Sequence, residues 1–218
     1  MLRAVGLTVS YGTTRAVDSV DVSIGSGEIV AVMGRSGSGK STLLHTLAGI
    51  RRPDAGQVWY RDQRVDTMAD RGRTTLRRTE FGFVFQHGQL IPELTAMENV
   101  ALPLLLNRST RRAAYATAAA WIDRLGIAEQ AHSLPAQLSG GETQRVAIAR
   151  AMTIEPAVVF ADEPTGSLDS LNAALVMSEL ASLAAENGTA VLVVTHDAPT
   201  AAVAGRCISL SDGRVIEQ

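Results

Sequence analysis

The sequence is almost free of cysteine. Cys207 is the one thiol in 218 residues, so an internal disulfide and any multi-cysteine metal site are excluded. It sits in the run RCISLSDG, where a small thiol is expected to be buried. A surplus of basic charge is missing too. Twenty Lys and Arg stand against 22 Asp and Glu, giving a net charge of −2 and a pI of 6.1. The chain therefore lacks the cationic footprint of a nucleic-acid-binding domain, and no nucleic-acid partner is expected. Its one basic cluster, Arg71, Arg73, Arg77 and Arg78, reads as a solvated loop-and-helix face. Long apolar runs are absent: VALPLLL and AVLVV fall well short of the roughly 20 residues that span a bilayer. The N-terminal MLRAVGLTVSYG alternates like a strand and has no apolar core ahead of a small-residue cleavage site. The chain is expected in the cytosol, so any work at a membrane requires another polypeptide to do the spanning.

What remains is a foldable α/β composition. Hydrophobic residues make up 46% and charged residues 19%, too apolar for disorder. Neither an internal repeat nor a Pro/Gly/Ser linker divides the chain. From Leu2 to Tyr60, β-like runs (RAVGLTVSY, SVDVSI, EIVAVMG, QVWYR) alternate with turn signals such as GSGE and RPDAG, and one helix is inserted at KSTLLHTLAG. After FGFVFQ the texture changes. From Thr95 to Glu129, Ala and Leu dominate, and STRRAAYATAAAWIDRLG carries a Ser/Thr start and a Gly stop. PAVVFADEP, LNAALVMSELASLAAENG, TAVLVVTHD and RCISLSDGRVIEQ then restore strand–helix–strand order. Continuous apolar strands alternating with helices imply a mostly parallel sheet covered on both faces, here with an N-terminal antiparallel β portion and an inserted helical segment.

Four stretches carry chemistry. GRSGSGKS fits G-x-x-x-x-G-K-[ST] at Gly34, Gly39, Lys40 and Ser41, after an apolar strand and opening a helix. In such a loop the backbone from Gly34 through Ser36, Gly37, Ser38 and Gly39 wraps a β-phosphate and the helix start at Thr42 adds its positive end. Lys40 reaches the β/γ oxygens and the Ser41 hydroxyl ligates Mg²⁺. AVVFADE ends an apolar run on Asp162 and Glu163, where ligands bind in open α/β sheets. Alone, two acids there make a solvated turn. With a phosphate loop upstream, Asp162 is expected in the metal shell and Glu163 is expected to polarise an attacking water. His196 closes TAVLVVTH in the same way and becomes a candidate for the γ-phosphate or the water, whereas His45, His87 and His132 have no such placement. In LSGGETQR, Ser139 and Glu142 match a capping box. A cap does not need Gly140 and Gly141, while close approach of a phosphate to bare N–H groups does. A second phosphate-facing loop in a chain with one phosphate loop suggests a nucleotide sandwiched between chains.

Taken together, LSGGETQR, the phosphate loop, VVFADEP and the histidine resemble the ATP-binding subunit of ATP-binding-cassette transporters, and the resemblance covers essentially the whole chain. It implies a P-loop NTPase core over 1–86 and 139–218, a helical subdomain over 87–138, and ATP with Mg²⁺ as ligands. Tyr11 lies where an aromatic stacks on adenine, Gln86 matches the loop glutamine that senses the γ-phosphate and metal, and GSLD, with Asp169, matches a further conserved loop of that family. The resemblance also implies a head-to-tail homodimer in which Ser139, Gly140 and Gly141 of one subunit close over ATP held by Lys40 and Ser41 of the other. A separately encoded integral membrane permease would hold the dimer on the inner face of the cell membrane. FGFVFQHGQLIPELTAMENVALPLLL and DEPTGSLD are similar to the subgroup of lipoprotein-release, macrolide-efflux and cell-division ATPases. Thr143, where that helix more often has Gln, and HGQL after Gln86 depart from the pattern. An alternative is a non-transport cassette ATPase acting on nucleic acid or ribosomes. No sustained heptads lie between Lys40 and Leu138, and the chain has one cassette rather than two, which argues against it.

Overall fold

The computed structural model describes residues 1–217. The strands are β1 (Leu2–Tyr11), β2 (Thr14–Ile24), β3 (Ile29–Met33), β4 (Ala55–Tyr60), β5 (Gln63–Arg64), β6 (Phe81–Phe85), β7 (Val158–Asp162), β8 (Ala190–Thr195), β9 (Arg206–Ser211) and β10 (Arg214–Glu217). The helices are α1 (Lys40–Leu47), α2 (Asp70–Glu80), α3 (Ala96–Leu106), α4 (Arg111–Arg124), α5 (Gly140–Met152), α6 (Ser170–Asn187) and the short α7 (Ala198–Ala201). A four-stranded antiparallel sheet has the order β2-β1-β4-β5. A six-stranded sheet has the order β10-β9-β3-β8-β7-β6, parallel except for the β9–β10 hairpin.

The near-continuous apolar runs of β7 and β8 are explained by burial on both sheet faces. Val159, Ala161, Val191 and Val193 enter one core with α3, α4, α5 and α6. Val158, Phe160, Leu192 and Val194 enter a second core with α1 and the antiparallel sheet. The stretch 87–138 contributes α3 and α4, whose Val100, Ala118 and Trp121 share the first core with Ile148 and Met152 of α5. Helix starts follow local chemistry: Thr95 forms a capping box with Glu98, and Thr110 accepts a hydrogen bond from Ala113 N.

Two expectations need correction. The arginine cluster lies on α2, and Arg73 is buried rather than solvated. It is bonded to Asp70, and the half-buried Arg77 donates to Gly49 O at 2.6 Å. Burying the long aliphatic stems of α2 against the strand core turns two of four arginines inward. Cys207 is exposed, because the two-residue alternation of β9 turns Ile208 and Leu210 into the core and leaves Cys207 on the other side.

The second core centres on Phe160, which is fully buried, packs edge-on to Phe81 at 5.1 Å and stacks with Phe83 at 5.6 Å. Phe160→Ala is expected to lower unfolding free energy by about 3–5 kcal/mol, the usual cost of emptying such a site. Urea denaturation checks this, and a loss below about 1 kcal/mol would show a core that collapses around the gap.

Candidate functional site

Parallel pairing sets Met33 opposite Thr195, Val194 opposite Asp162, and Asp162 opposite Phe85. The carboxyl ends of β3, β8, β7 and β6 therefore stand level, and the residues that follow them converge on one edge, the ligand-binding edge of open α/β sheets. A cleft of about 870 Å³ opens there, lined by Gly34–Gly37, Gly39–Thr42, Gln86, Glu163 and His196.

The loop wraps tightly because its glycines permit backbone contact. A Cβ on Gly39, which has φ +102°, would lie 2.0 Å from Ala16 O, and one on Gly34 would lie 2.2 Å from Leu210 O. Lys40, only 6% exposed, donates from Nζ to Gly34 O at 2.8 Å and Arg35 O at 3.1 Å, and stands 3.8 Å from Glu163 Oε1. The ammonium is thus held over the loop by carbonyls. Ser38 Oγ is buried in the same loop with no hydrogen-bond partner among the described residues, an orphaned donor of the kind that a bound phosphate oxygen satisfies.

Behind the loop, Ser41 Oγ donates to Asp162 Oδ1 at 2.9 Å, and His45 Nε2 lies 3.8 Å from Asp162 Oδ2. Burial pushes the Asp162 carboxyl above its ordinary pKa, and the neighbouring Glu163 acts in the same direction. Ser41, His45 and Lys40 pull it back. A hydroxyl and a carboxylate side by side at the phosphate loop suit Mg²⁺, a hard cation that takes one or two protein oxygens and fills its octahedron with water and phosphate.

Glu163 leaves β7 in the left-handed region, at φ +47°, a conformation that costs a side chain of this kind about 1 kcal/mol or more. The kink, tied by Glu163 N donating to Val194 O at 2.9 Å, turns the carboxylate into the cleft. Oε1 lies 2.9 Å from His196 Nδ1, and Oε2 accepts from Thr195 Oγ1 at 3.1 Å and His196 N at 3.4 Å. Lys40, Glu163 and His196 are therefore one connected group.

Gln86 reaches the cleft from the end of β6, with Gly166 packed on its side chain and Ser167 Oγ donating to its carbonyl at 2.9 Å. Tyr11, Ser139, Gly140, Gly141, Glu142 and Asp169 do not line this cleft. Tyr11 ends β1 half-exposed, with the Arg51 guanidinium 4.0 Å from its ring centroid. Ser139 accepts from Glu142 N at 3.3 Å, while Ser139 N and Oγ each donate to Glu142 Oε2 at 2.8 Å. These bonds hold the Glu142 carboxyl below its usual range. Gly140 also has a packing reason that the sequence did not disclose: a Cβ there would meet Leu168 at 3.1 Å, whereas one on Gly141 would make only ordinary contact, at 3.4 Å, with Asn172 Oδ1. Asp169 caps α6 through Leu171 N and Asn172 N.

Three residues of the arrangement escaped sequence reasoning. His45 follows Ser41 by four positions on α1 and so shares its face, a spacing that was available as a signal. Thr195 precedes His196 at the strand end. Gln144, 1% exposed, donates from Nε2 to Phe85 O at 2.8 Å and to Pro164 O, joining α5 to the ends of β6 and β7; nothing in LSGGETQR marked it as buried.

A glycine loop over a buried lysine, a Ser–Asp pair suited to Mg²⁺ and a carboxylate aimed at the same cleft define a P-loop nucleoside triphosphatase. The chain belongs to the ABC transporter family, whose profile matches residues 17–166, and it is an ATP-binding and ATP-hydrolysing subunit of that family. It is similar to the lipoprotein-releasing system ATP-binding protein LolD 2 of Rhodopirellula baltica, 40% identical over 98% of this chain and 88% of that protein. It is also similar to LolD of Hydrogenovibrio crunogenus, 45% identical over 93% and 88% of the two chains. The dimeric structure of MJ0796, an ABC transporter cassette, superposes with a TM-score of 0.93 at 38% identity, covering 100% of this chain and 97% of that one. A dimeric post-hydrolysis state of the same cassette bound to ADP and Pi gives 0.92 at 38%, with the same coverage.

Gln144→Leu removes the donor from two carbonyls held by a buried side chain. It is expected to lower stability by about 1–3 kcal/mol, the cost of stranding buried acceptors. A chemical-denaturation midpoint identical to wild type would show that these carbonyls find other donors.

Proposed function

We propose that this chain is the motor subunit of a membrane export or release complex, closing with a second copy around two ATP and driving a separately encoded permease. The observation that carries the reading is the strained Glu163 carboxylate, fixed by Thr195 and His196 and facing Lys40 across the phosphate loop. Lys40 exchanges its loop carbonyls for β/γ oxygens. Ser41 and Asp162 would hold Mg²⁺, which when bound would supply positive charge beside the phosphates. Glu163 draws a proton from the attacking water, and His196 orients that carboxylate and contacts the γ-phosphate side. Gln86 reports the state of the γ-phosphate and metal to the residues that follow it. Tyr11 stacks on adenine.

Ser139, Gly140, Gly141 and Glu142 lie off the cleft, which suits a role toward the second copy's nucleotide, with Asp169 beside them. The dimeric MJ0796 structures support the pairing of two copies. Loss of the bridging γ-phosphate opens the pair, an order-to-opening switch. We divide the chain into a core over 1–86 and 139–218 and a helical subdomain over 87–138. Beside Gln86, an apolar groove of about 450 Å³, lined among others by Phe83, Phe85, Gln89, Leu102 and Leu106, offers a seat for a cytoplasmic helix of the permease. Among the described residues no helix is long and apolar enough to cross a membrane; on this reading the permease holds the chain peripherally on the inner face. The LolD relatives point to lipoprotein release as the coupled work. CbiO1 of Clostridium perfringens, 29% identical, is part of the transporter complex cbiONQ, and these transporter relatives favour the reading over action on nucleic acid or ribosomes.

Glu163→Gln is expected to retain ATP binding, lose at least about 100-fold in turnover, as removal of a general base does, and accumulate an ATP-bound dimer. Captured from solubilised membranes with ATP, this variant should bring down an integral membrane protein. Hydrolysis at the wild-type rate would remove Glu163 from its role.

A further inference from the structure

Tyr11 is gripped by a loop from the far end of the helix that starts at the phosphate loop. After α1, Gly49 turns the chain at φ +65°, and Ile50 N and Arg51 N both donate to His45 O, at 2.9 and 3.1 Å. The next residues reach β1. Arg51 Nη2 donates to Ser10 O at 2.8 Å, Ser10 N donates to Asp54 Oδ2 at 2.6 Å, and Asp54 N donates to Thr8 O at 2.9 Å. Both backbone groups of the residue before Tyr11 are thus held by the 51–54 loop. The Arg51 guanidinium also stands 4.0 Å from the Tyr11 ring centroid. Its Nε is buried with no hydrogen-bond acceptor among the described residues, so the ring's electron-rich face is what compensates it. Tyr11 nevertheless remains 53% exposed.

We infer that Arg51 is a positioning residue for the nucleobase, backing one face of Tyr11 and fixing the ring so that its open face takes a purine. The inference rests on the reading of Tyr11 as the base platform. Helix α1 then acts as a spacer: Lys40 at its start fixes the phosphates, and Arg51 just past its end fixes the platform. Eight helical residues, about 12 Å of helix, lie between these two grips. A guanidinium suits the task because it is planar and can stack on the ring while one of its N–H groups bonds the backbone. The predicted consequence is confined to the base. Arg51 should strengthen binding of a purine nucleotide and leave binding of a bare polyphosphate unchanged.

The test is competition against a fluorescent ATP analogue by ATP and by inorganic tripolyphosphate. It compares wild type, Arg51→Ala, Arg51→Lys and Tyr11→Ala, with thermal melting as the control for folding. For Tyr11→Ala we expect ATP to bind at least about fivefold more weakly, the scale of one lost base stack, with tripolyphosphate unaffected. Arg51→Ala should weaken ATP about two- to fivefold, again with tripolyphosphate unaffected, and Arg51→Lys should fall between it and wild type. Equal weakening of both ligands by Arg51→Ala would overturn the proposal, since Arg51 would then act as a charge on the phosphates. A normal ATP affinity in Arg51→Ala beside a weakened Tyr11→Ala would also overturn it while leaving the platform reading intact. An unchanged Tyr11→Ala would remove the platform, and the proposal with it. Should Arg51→Ala fail the melting control, Arg51→Lys carries the same comparison.

Discussion

Parallel pairing among β3, β8 and β7 is the constraint on which the chemistry depends. With Met33 opposite Thr195 and Val194 opposite Asp162, three strands end at one level and deliver the phosphate loop, the Thr195–His196 pair and the Asp162–Glu163 pair to one cleft. Burial on both faces locks that register. A slip of one residue would swap Val191 and Val193 with Leu192 and Val194 between two differently shaped cores. The rigid sheet also sustains the left-handed backbone of Glu163, which an exposed turn would relax.

The same frame ties the site to its surroundings through α5. Gln144 bonds the carbonyls of Phe85 and Pro164. Six residues further along the helix, Arg150 donates to Gly88 O at 2.7 Å and Gln89 O at 2.8 Å. Burial lowers the Arg150 pKa to about 10, so the side chain stays protonated at neutral pH with backbone carbonyls satisfying its charge. The helix that begins at Ser139 therefore holds the backbone on both sides of Gln86. Any displacement of Gln86 must either strain these bonds or carry α5 with it, and the groove at Phe83, Phe85, Gln89 and Leu106 lies beside the same residues.

Most of the architecture was legible because its signals are local: apolar runs bounded by turns for β3, β7 and β8, a Ser/Thr start and glycine stop for α4, the Ser139 cap for α5, the Gly188 stop for α6, and a phosphate loop between a strand and a helix. The carboxylates and His196 were legible because they close apolar strands. What stayed hidden depends on packing. Arg73 reads as solvated until α2 is set against the sheet, nothing marks Gln144 as buried until α5 is, and Cys207 reads as core until the phase of β9 is known. The glycine pair at 140 and 141 had one visible reason, anion approach, and Gly140 has a second that only the position of Leu168 reveals. Arg51 gave no sign at all, since its relation to Tyr11 spans 40 residues and three intervening elements.

That each nucleotide is enclosed by the phosphate loop of one copy and the Ser139 loop of the other is most directly tested by mixing two inactive variants, Lys40→Ala and Ser139→Arg, and measuring ATP hydrolysis. In a mixed pair, one composite site combines both defects and the other combines two intact halves. If the sites are shared, the mixture hydrolyses ATP well above the sum of the separate variants. If hydrolysis equals that sum while the two proteins demonstrably associate, each chain builds its site alone and the shared-site arrangement is wrong.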